Sequence, residues 1–171
     1  MTSHPATLAL ALAAVALAAF TAAMKMPTTL IWNASGSVPI GLYVVRPVGG
    51  LHLGELVVVT PPGPLARFLA ERGYLPMGVP LLKHIVALPG QTVCRAGPTI
   101  TVDGAAMGVA LMRDRRGRSL PAWQGCRVLA DGDVLLMNRL SEDSFDGRYF
   151  GPLPAASITG RADPLWTEQG R

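Results

Sequence analysis

Val79-Pro80-Leu81-Leu82-Lys83-His84-Ile85-Val86-Ala87-Leu88 is an apolar run with one lysine near its middle, closed by Pro89-Gly90. Its length and branched side chains read as a buried strand, and the Pro-Gly pair as the turn that ends it. The lysine is the anomaly. Of fifteen basic residues only two are lysines, Lys25 and Lys83. A lysine in such a run either packs its stem and lifts its amine to water, or stays buried with its pKa pushed down. The local sequence leaves those two readings level.

Similar runs surround it. Glu55-Leu56-Val57-Val58-Val59-Thr60, ended by Pro61-Pro62-Gly63, and Val134-Leu135-Leu136-Met137, after Asp131-Gly132-Asp133, read as further buried strands. Thr99-Ile100-Thr101-Val102 followed by Asp103-Gly104 is a hairpin signal. Val38 to Val45, interrupted by Pro39 and Gly41, predicts an edge or bulged strand. Pro64 to Arg72, with proline first and Gly73 after the last residue, predicts one short helix. Arg113 to Leu120 reads as a long loop or hairpin tip. The chain turns irregular from Ser141 and resumes with Ile158 to Arg161. With 19 glycines and 15 prolines as punctuation, the expected fold is mainly β and antiparallel, with little helix.

Ahead of these strands, Ala6 to Met24 is apolar except for Thr7 and Thr21. Nineteen residues at helical rise span roughly 28 Å, about the hydrocarbon thickness of a bilayer. No Lys or Arg precedes the run, and a secretory signal usually has a basic leader and a shorter apolar core. We therefore read residues 1–25 as a retained transmembrane anchor, with a cut near Thr21-Ala22-Ala23 as the alternative, and 26–171 as one domain. All Lys, Arg, Asp and Glu side chains lie after the run, and apart from Lys25 the net charge of +4 belongs to that domain. Its densest basic cluster, Arg113, Arg115, Arg116 and Arg118 around Asp114, reads as a solvated loop tip. Without interleaved aromatics it gives no reason to expect nucleic acid. Cys94 and Cys126 are the only cysteines, and behind an export segment they are candidates for a disulfide. His52 and His84 are isolated and no ligand spacing is visible, so no metal or other cofactor is expected.

Between the anchor and the strands lies Asn33-Ala34-Ser35-Gly36-Ser37-Val38-Pro39-Ile40-Gly41-Leu42-Tyr43. Small residues and a proline two after Ser37 make a stiff segment that exposes a hydroxyl, and we read Ser37 as a nucleophile. A serine needs a base. His84 and His52 are available but carry no motif, whereas a buried Lys83 with a lowered pKa would serve.

Three stretches in order carry a resemblance: Ser35-Gly36-Ser37-Val38-Pro39, Lys83 to Gly90, and Ser144-Phe145-Asp146-Gly147-Arg148-Tyr149-Phe150-Gly151. They resemble the three signature boxes of the Ser/Lys signal peptidases. Ser-Val-Pro-Ile-Gly-Leu-Tyr, Gly125-Cys126, Ser144 to Pro152 and Ile158 to Trp166 are similar, more closely, to the conjugative-transfer (TraF-type) members. The resemblance implies a β-rich catalytic domain lying against the membrane. It implies Ser37 as nucleophile, Lys83 as general base, and Ser35 beside the Ser37 N–H in the oxyanion hole. Ser144 would orient the lysine amine, and Asp146 and Arg148 would brace that box as an ion pair.

The sequence departs from the boxes at four places. Asn138-Arg139-Leu140 replaces the usual Gly-Asp-Asn, Gly147 a serine, His84 an arginine, and Ala87 a glycine. These leave Asp146 either a structural partner or a direct participant, and His84, facing away from Lys83, as packing or surface. A substrate held as an added strand would place alanine-like side chains in shallow pockets lined by Val38-Pro39 and the run around Leu81.

The function expected from the resemblance is cleavage of a pilin precursor through an acyl-enzyme. The acyl group would pass to water, or to the substrate's own amino terminus to give a cyclic pilin. The alternatives are a general type I signal peptidase acting on other exported preproteins, and a non-enzymatic tethered scaffold of the transfer apparatus. The expected location is the bacterial inner membrane, in contact with lipid and with the domain in the periplasm, against one weak vote from Lys25 under the positive-inside rule.

Overall fold

The computed structural model describes residues 4–23 and 30–168, with side chains over 5–16 and 30–168. Helix α1 (His4–Ala23) covers the alanine-rich run. Among the described residues no helix is long and apolar enough to cross a membrane. Lys25 and the expected boundary between residues 25 and 26 lie outside the described residues.

β1 (Leu30–Asn33) and β2 (Gly41–Arg46) pair across the serine-bearing loop. β3 (Leu56–Val59) leads to α2 (Gly63–Glu71), which has proline in its first turn and is followed by Gly73 at φ +66°. Next come β4 (Leu81–Ala87), β5 (Thr92–Ala96), β6 (Thr99–Val102) and β7 (Ala105–Val109). Asp103 and Gly104 between β6 and β7 both have positive φ, 49° and 81°, as a tight Asp-Gly turn requires. β8 (Gly125–Val128), β9 (Asp133–Met137), α3 (Gly147–Phe150), β10 (Leu153–Pro154) and β11 (Ile158–Thr167) complete the chain.

Two antiparallel sheets result, one ordered β1-β2-β11-β3-β4-β9-β10 and the other β7-β6-β5-β8. β4 is interior, with β3 and β9 beside it and apolar clusters on both faces. Ile85 packs with Val57, Val59, Val134 and Leu136, while Leu82 packs with Val38, Tyr43, Val58 and Ala162. That two-sided burial explains why its sequence is a continuous apolar run rather than an alternating one. A third cluster joins Ala87, Leu135 and Met137 of the large sheet to Val93, Ile100 and Val102 of the small one.

The mainly antiparallel β architecture is as expected, with additions. β5 and β8 lack a readable apolar run because each is short and carries an arginine. They become strands by pairing, with Cys94 opposite Cys126, and these two cysteines are joined by a disulfide. β1 was not foreseen. β11 outruns Ile158 to Arg161 and continues through Pro164, where a register shift between Pro164 and Trp166 absorbs the missing N–H.

Candidate active site

The serine loop is built around Asn33, the last residue of β1. Its buried Nδ2 lies within hydrogen-bond distance of three carbonyls, Ser35 at 2.8 Å, Val38 at 3.1 Å and Pro39 at 3.1 Å. Its Oδ1 accepts from the Ser35 N–H at 3.2 Å and the Ser35 hydroxyl at 2.9 Å. Tyr43, fully buried, donates its hydroxyl to the Pro39 carbonyl at 2.6 Å and ties down the other end. The loop returns into β2 at Gly41, where a Cβ would stand 2.2 Å from the Trp166 carbonyl oxygen, so only glycine fits. Ser37 is half-buried with its Oγ 3.2 Å from Ser35 Oγ. Since Ser35 spends its single proton on Asn33, Ser37 is the donor in that pair.

Lys83 is 3% exposed and donates from Nζ to Ser144 Oγ at 2.8 Å. Burial pushes its pKa down from 10.5 to about 8; the Asp146 carboxylate pulls it back up and the Arg148 guanidinium presses it lower. The sequence left open whether the amine reaches water, and here it does not. Ser37 and Lys83 share no direct hydrogen bond among the described residues. Their neighbours do meet, because Val38 and Leu82 belong to one apolar cluster and so rest the serine loop on the lysine strand.

Behind Ser144 lies a buried ion pair. Asp146 receives Arg148 Nε at 2.9 Å and Nη2 at 2.8 Å, a two-point contact with both side chains at 2% exposure or less. Its oxygens also accept the N–H of Arg148 at 3.1 Å and of Asn138 at 3.0 Å. Arg148 in turn donates to the carbonyls of Ser141 at 2.6 Å and Asn138 at 3.3 Å, lacing the segment that delivers Ser144. Phe145 stacks on Tyr149 and Phe68 and anchors the same segment from outside. A Cβ at Gly147 would meet Leu135 Cδ1 at 2.7 Å and the Leu136 carbonyl at 2.8 Å, which accounts for glycine where the related box carries serine.

The expected residues therefore form three paired units: Ser35 with Ser37, Lys83 with Ser144, and Asp146 with Arg148. Cys94 and Cys126 lie in the other sheet. A groove of about 1440 Å³ runs past Ser37 and is lined by Val38, Pro39, His84, Ile85, Val86 and Met107, among others. On the β4 side the lining is His84, Ile85 and Val86 of the run that begins at Leu81, while Leu81 itself packs against the first core cluster. His84, expected as packing or surface, borders the groove, and its Nδ1 is 3.1 Å from Asn138 Oδ1. Asn33 and Asn138 are the site residues that sequence reasoning missed. For Asn33 a signal existed, an Asx residue ending an apolar stretch just before small residues.

The signal peptidase, peptidase S26 family model matches residues 3–166. A probable conjugal transfer protein TraF of Sinorhizobium fredii is 34% identical over 145 residues, covering 79% of this chain and 76% of the relative. The conjugal transfer protein TraF of Agrobacterium fabrum is 35% identical over 150 residues, covering 79% and 81%. A probable signal peptidase I-1 of Synechocystis is 30% identical over 111 residues, covering 65% of this chain and 52% of that one.

Proposed function

The chain belongs to the signal peptidase S26 family, and from that premise we propose that it is a membrane-anchored Ser/Lys endopeptidase of a conjugative transfer system that processes a pilin precursor. The observation that carries the reading is Lys83, a buried amine held by Ser144 in the strand on which the Ser37 loop rests.

In this reading neutral Lys83 takes the Ser37 proton as Oγ attacks the scissile carbonyl, after Ser37 turns from Ser35 toward the amine. The oxyanion is met by the Ser37 N–H and by the Ser35 hydroxyl, once that hydroxyl turns away from Asn33. Collapse breaks the C–N bond, and Lys83 returns the proton to the leaving amine. The acyl-enzyme is then attacked by water to give a linear product, or by the substrate's own amino terminus to give a cycle. Asp146 acts through Arg148 and the backbone of residue 138, as a brace rather than a proton carrier.

Membrane attachment through α1 with a periplasmic domain is part of the proposal and rests on the apolar run. A feature near that end supports it. Trp32 and Trp166, on either side of Leu42 in the register, stack with centroids 5.9 Å apart while 56% and 55% exposed, beside exposed Leu30 and Leu165. Amphipathic rings of this kind suit the headgroup boundary.

Ser37→Ala and Lys83→Ala, each expressed in place of the native chain, should accumulate uncut precursor. Normal processing by a folded Ser37→Ala protein rejects the reading. Intact mass of the mature product then separates the two acceptors, since a cycle is lighter than the linear form by one water. The second reading, a general signal peptidase, draws on the Synechocystis relative. It requires several unrelated preproteins to accumulate rather than one.

A further inference from the structure

We propose that the Asn138 carboxamide is a positioning residue for the base: it stands in for a strand residue beside β4 and bonds the peptide groups on both sides of Lys83. The inference rests on the reading of Lys83 as general base.

β9 pairs with β4 only at His84, Ile85 and Ala87, opposite Met137, Leu136 and Leu135. One residue further, the main chain leaves the ladder and turns to the ion pair. The Asn138 N–H goes to Asp146 and its carbonyl receives Arg148. The peptide groups of β4 next to Lys83 would then lack partners on this side, and an unpaired buried peptide group is costly. The Asn138 side chain fills the gap. Its Nδ2 donates to the Leu82 carbonyl at 2.9 Å, and its Oδ1 accepts the His84 N–H at 3.2 Å.

The orientation of the amide follows from these partners. A carbonyl can only accept and a peptide N–H can only donate, so the flipped amide would oppose both. The same Oδ1 faces His84 Nδ1, which places the proton of a neutral imidazole on Nδ1. Asn138 is 2% exposed, so water does not compete for these bonds.

Lys83 is thus held twice from one brace. Ser144 fixes its amine and Asn138 fixes its backbone, and both hang from the Asp146–Arg148 pair. A lysine whose strand can shift loses its alignment with Ser37, while the groove that binds substrate is largely kept. The charged groups that act on its amine, Asp146 and Arg148, are unchanged by removal of the carboxamide.

The test uses the full chain in detergent and an internally quenched peptide with alanine at the small-residue positions before the cut. Asn138→Ala should lower kcat on the order of 100-fold with little change in KM, the pattern of a misplaced catalytic group rather than lost binding. Asn138→Asp keeps the acceptor for His84, but it sets an oxygen against the Leu82 carbonyl, so it too should lower kcat. In Asn138→Ala the His84 amide, left without its acceptor, reports the local change by faster hydrogen exchange read by NMR.

Wild-type kcat in a folded Asn138→Ala protein overturns the inference. If that variant does not fold, wild-type kcat in a folded Asn138→Asp protein overturns it instead. An inactive wild type, or an active Ser37→Ala, sinks the peptidase reading and with it the base that Asn138 would position, leaving only the backbone partnership to test. In that case unaltered exchange of the His84 amide in Asn138→Ala still rejects Asn138 as the strand's partner.

Discussion

Lys83 Nζ gives a 2.8 Å hydrogen bond to Ser144 Oγ at a position where the lysine is almost sealed from water. With the pKa at about 8, roughly a tenth of the amine is neutral at pH 7, and in the proposed mechanism only that fraction accepts the Ser37 proton. The kcat/KM profile should therefore climb about tenfold per pH unit and level off near pH 8. Ser144→Ala should lower kcat on the order of 100-fold by freeing the amine. A profile centred where free imidazole titrates, and abolished by His84→Ala, would transfer the base role to histidine.

The same burial carries a stability penalty. The unfolded chain holds the Lys83 proton up to its ordinary pKa of 10.5, while the folded chain gives it up near 8. Between those values the unfolded state binds more protons, so stability rises with pH across that window; below about 8 the full penalty stands. Two and a half units correspond to about 3 kcal/mol. Lys83→Met should abolish cleavage yet stabilise the protein at pH 7 by up to about 3 kcal/mol, less what Ser144 loses as a partner, and the gain should fade between pH 8 and pH 10.5. Urea unfolding of both proteins at pH 7 and pH 10.5 checks this, and a destabilised Lys83→Met at pH 7 refutes it.

Arg148 and Gly147 make the opposite case, where neighbouring changes should both be harmful for different reasons. Arg148→Met leaves the Asp146 carboxylate charged and alone at 0% exposure, at a cost of about 3–5 kcal/mol. Gly147→Ser restores the related box but drives Cβ into the Leu136 carbonyl, and overpacking of this kind costs about 1–3 kcal/mol. Thermal unfolding distinguishes them. Removing the stranded charge with Asp146→Asn should narrow the deficit of Arg148→Met and leave that of Gly147→Ser unchanged.

What could be read from sequence was what announces itself locally. Lys83 stood out as a charge in an apolar run, Ser37 as a hydroxyl in a stiff small-residue segment, and the Asp103-Gly104 turn by composition. Asn138 was visible only as a departure from a box, since its work is to bond main-chain groups 54 and 56 positions earlier, which no local pattern records. The same holds for β5 and β8, whose strand character comes from facing each other. For His84, alternation along β4 says which face it takes, but not that a groove lies there.

The exposed tryptophan pair gives a test of where the domain sits. Trp32 and Trp166 present their rings outward, whereas Trp123 is half-buried and donates its indole N–H to the Gly147 carbonyl. If the proposed surface rests in the headgroup region, lipids brominated high on the acyl chain should quench the first two and spare the third. In full-length protein reconstituted into such vesicles, we expect quenching that largely disappears when Trp32 and Trp166 are both replaced by phenylalanine. The ordinary and double-variant proteins should cleave a short soluble peptide equally, since neither ring is part of the Ser37–Lys83 chemistry. Cleavage of a membrane-embedded precursor should slow in a Trp32→Ala, Trp166→Ala protein, because the domain is then less firmly seated at the depth of the scissile bond. Equal quenching with and without the pair, or equal processing of the embedded precursor, would show that this face does not touch lipid.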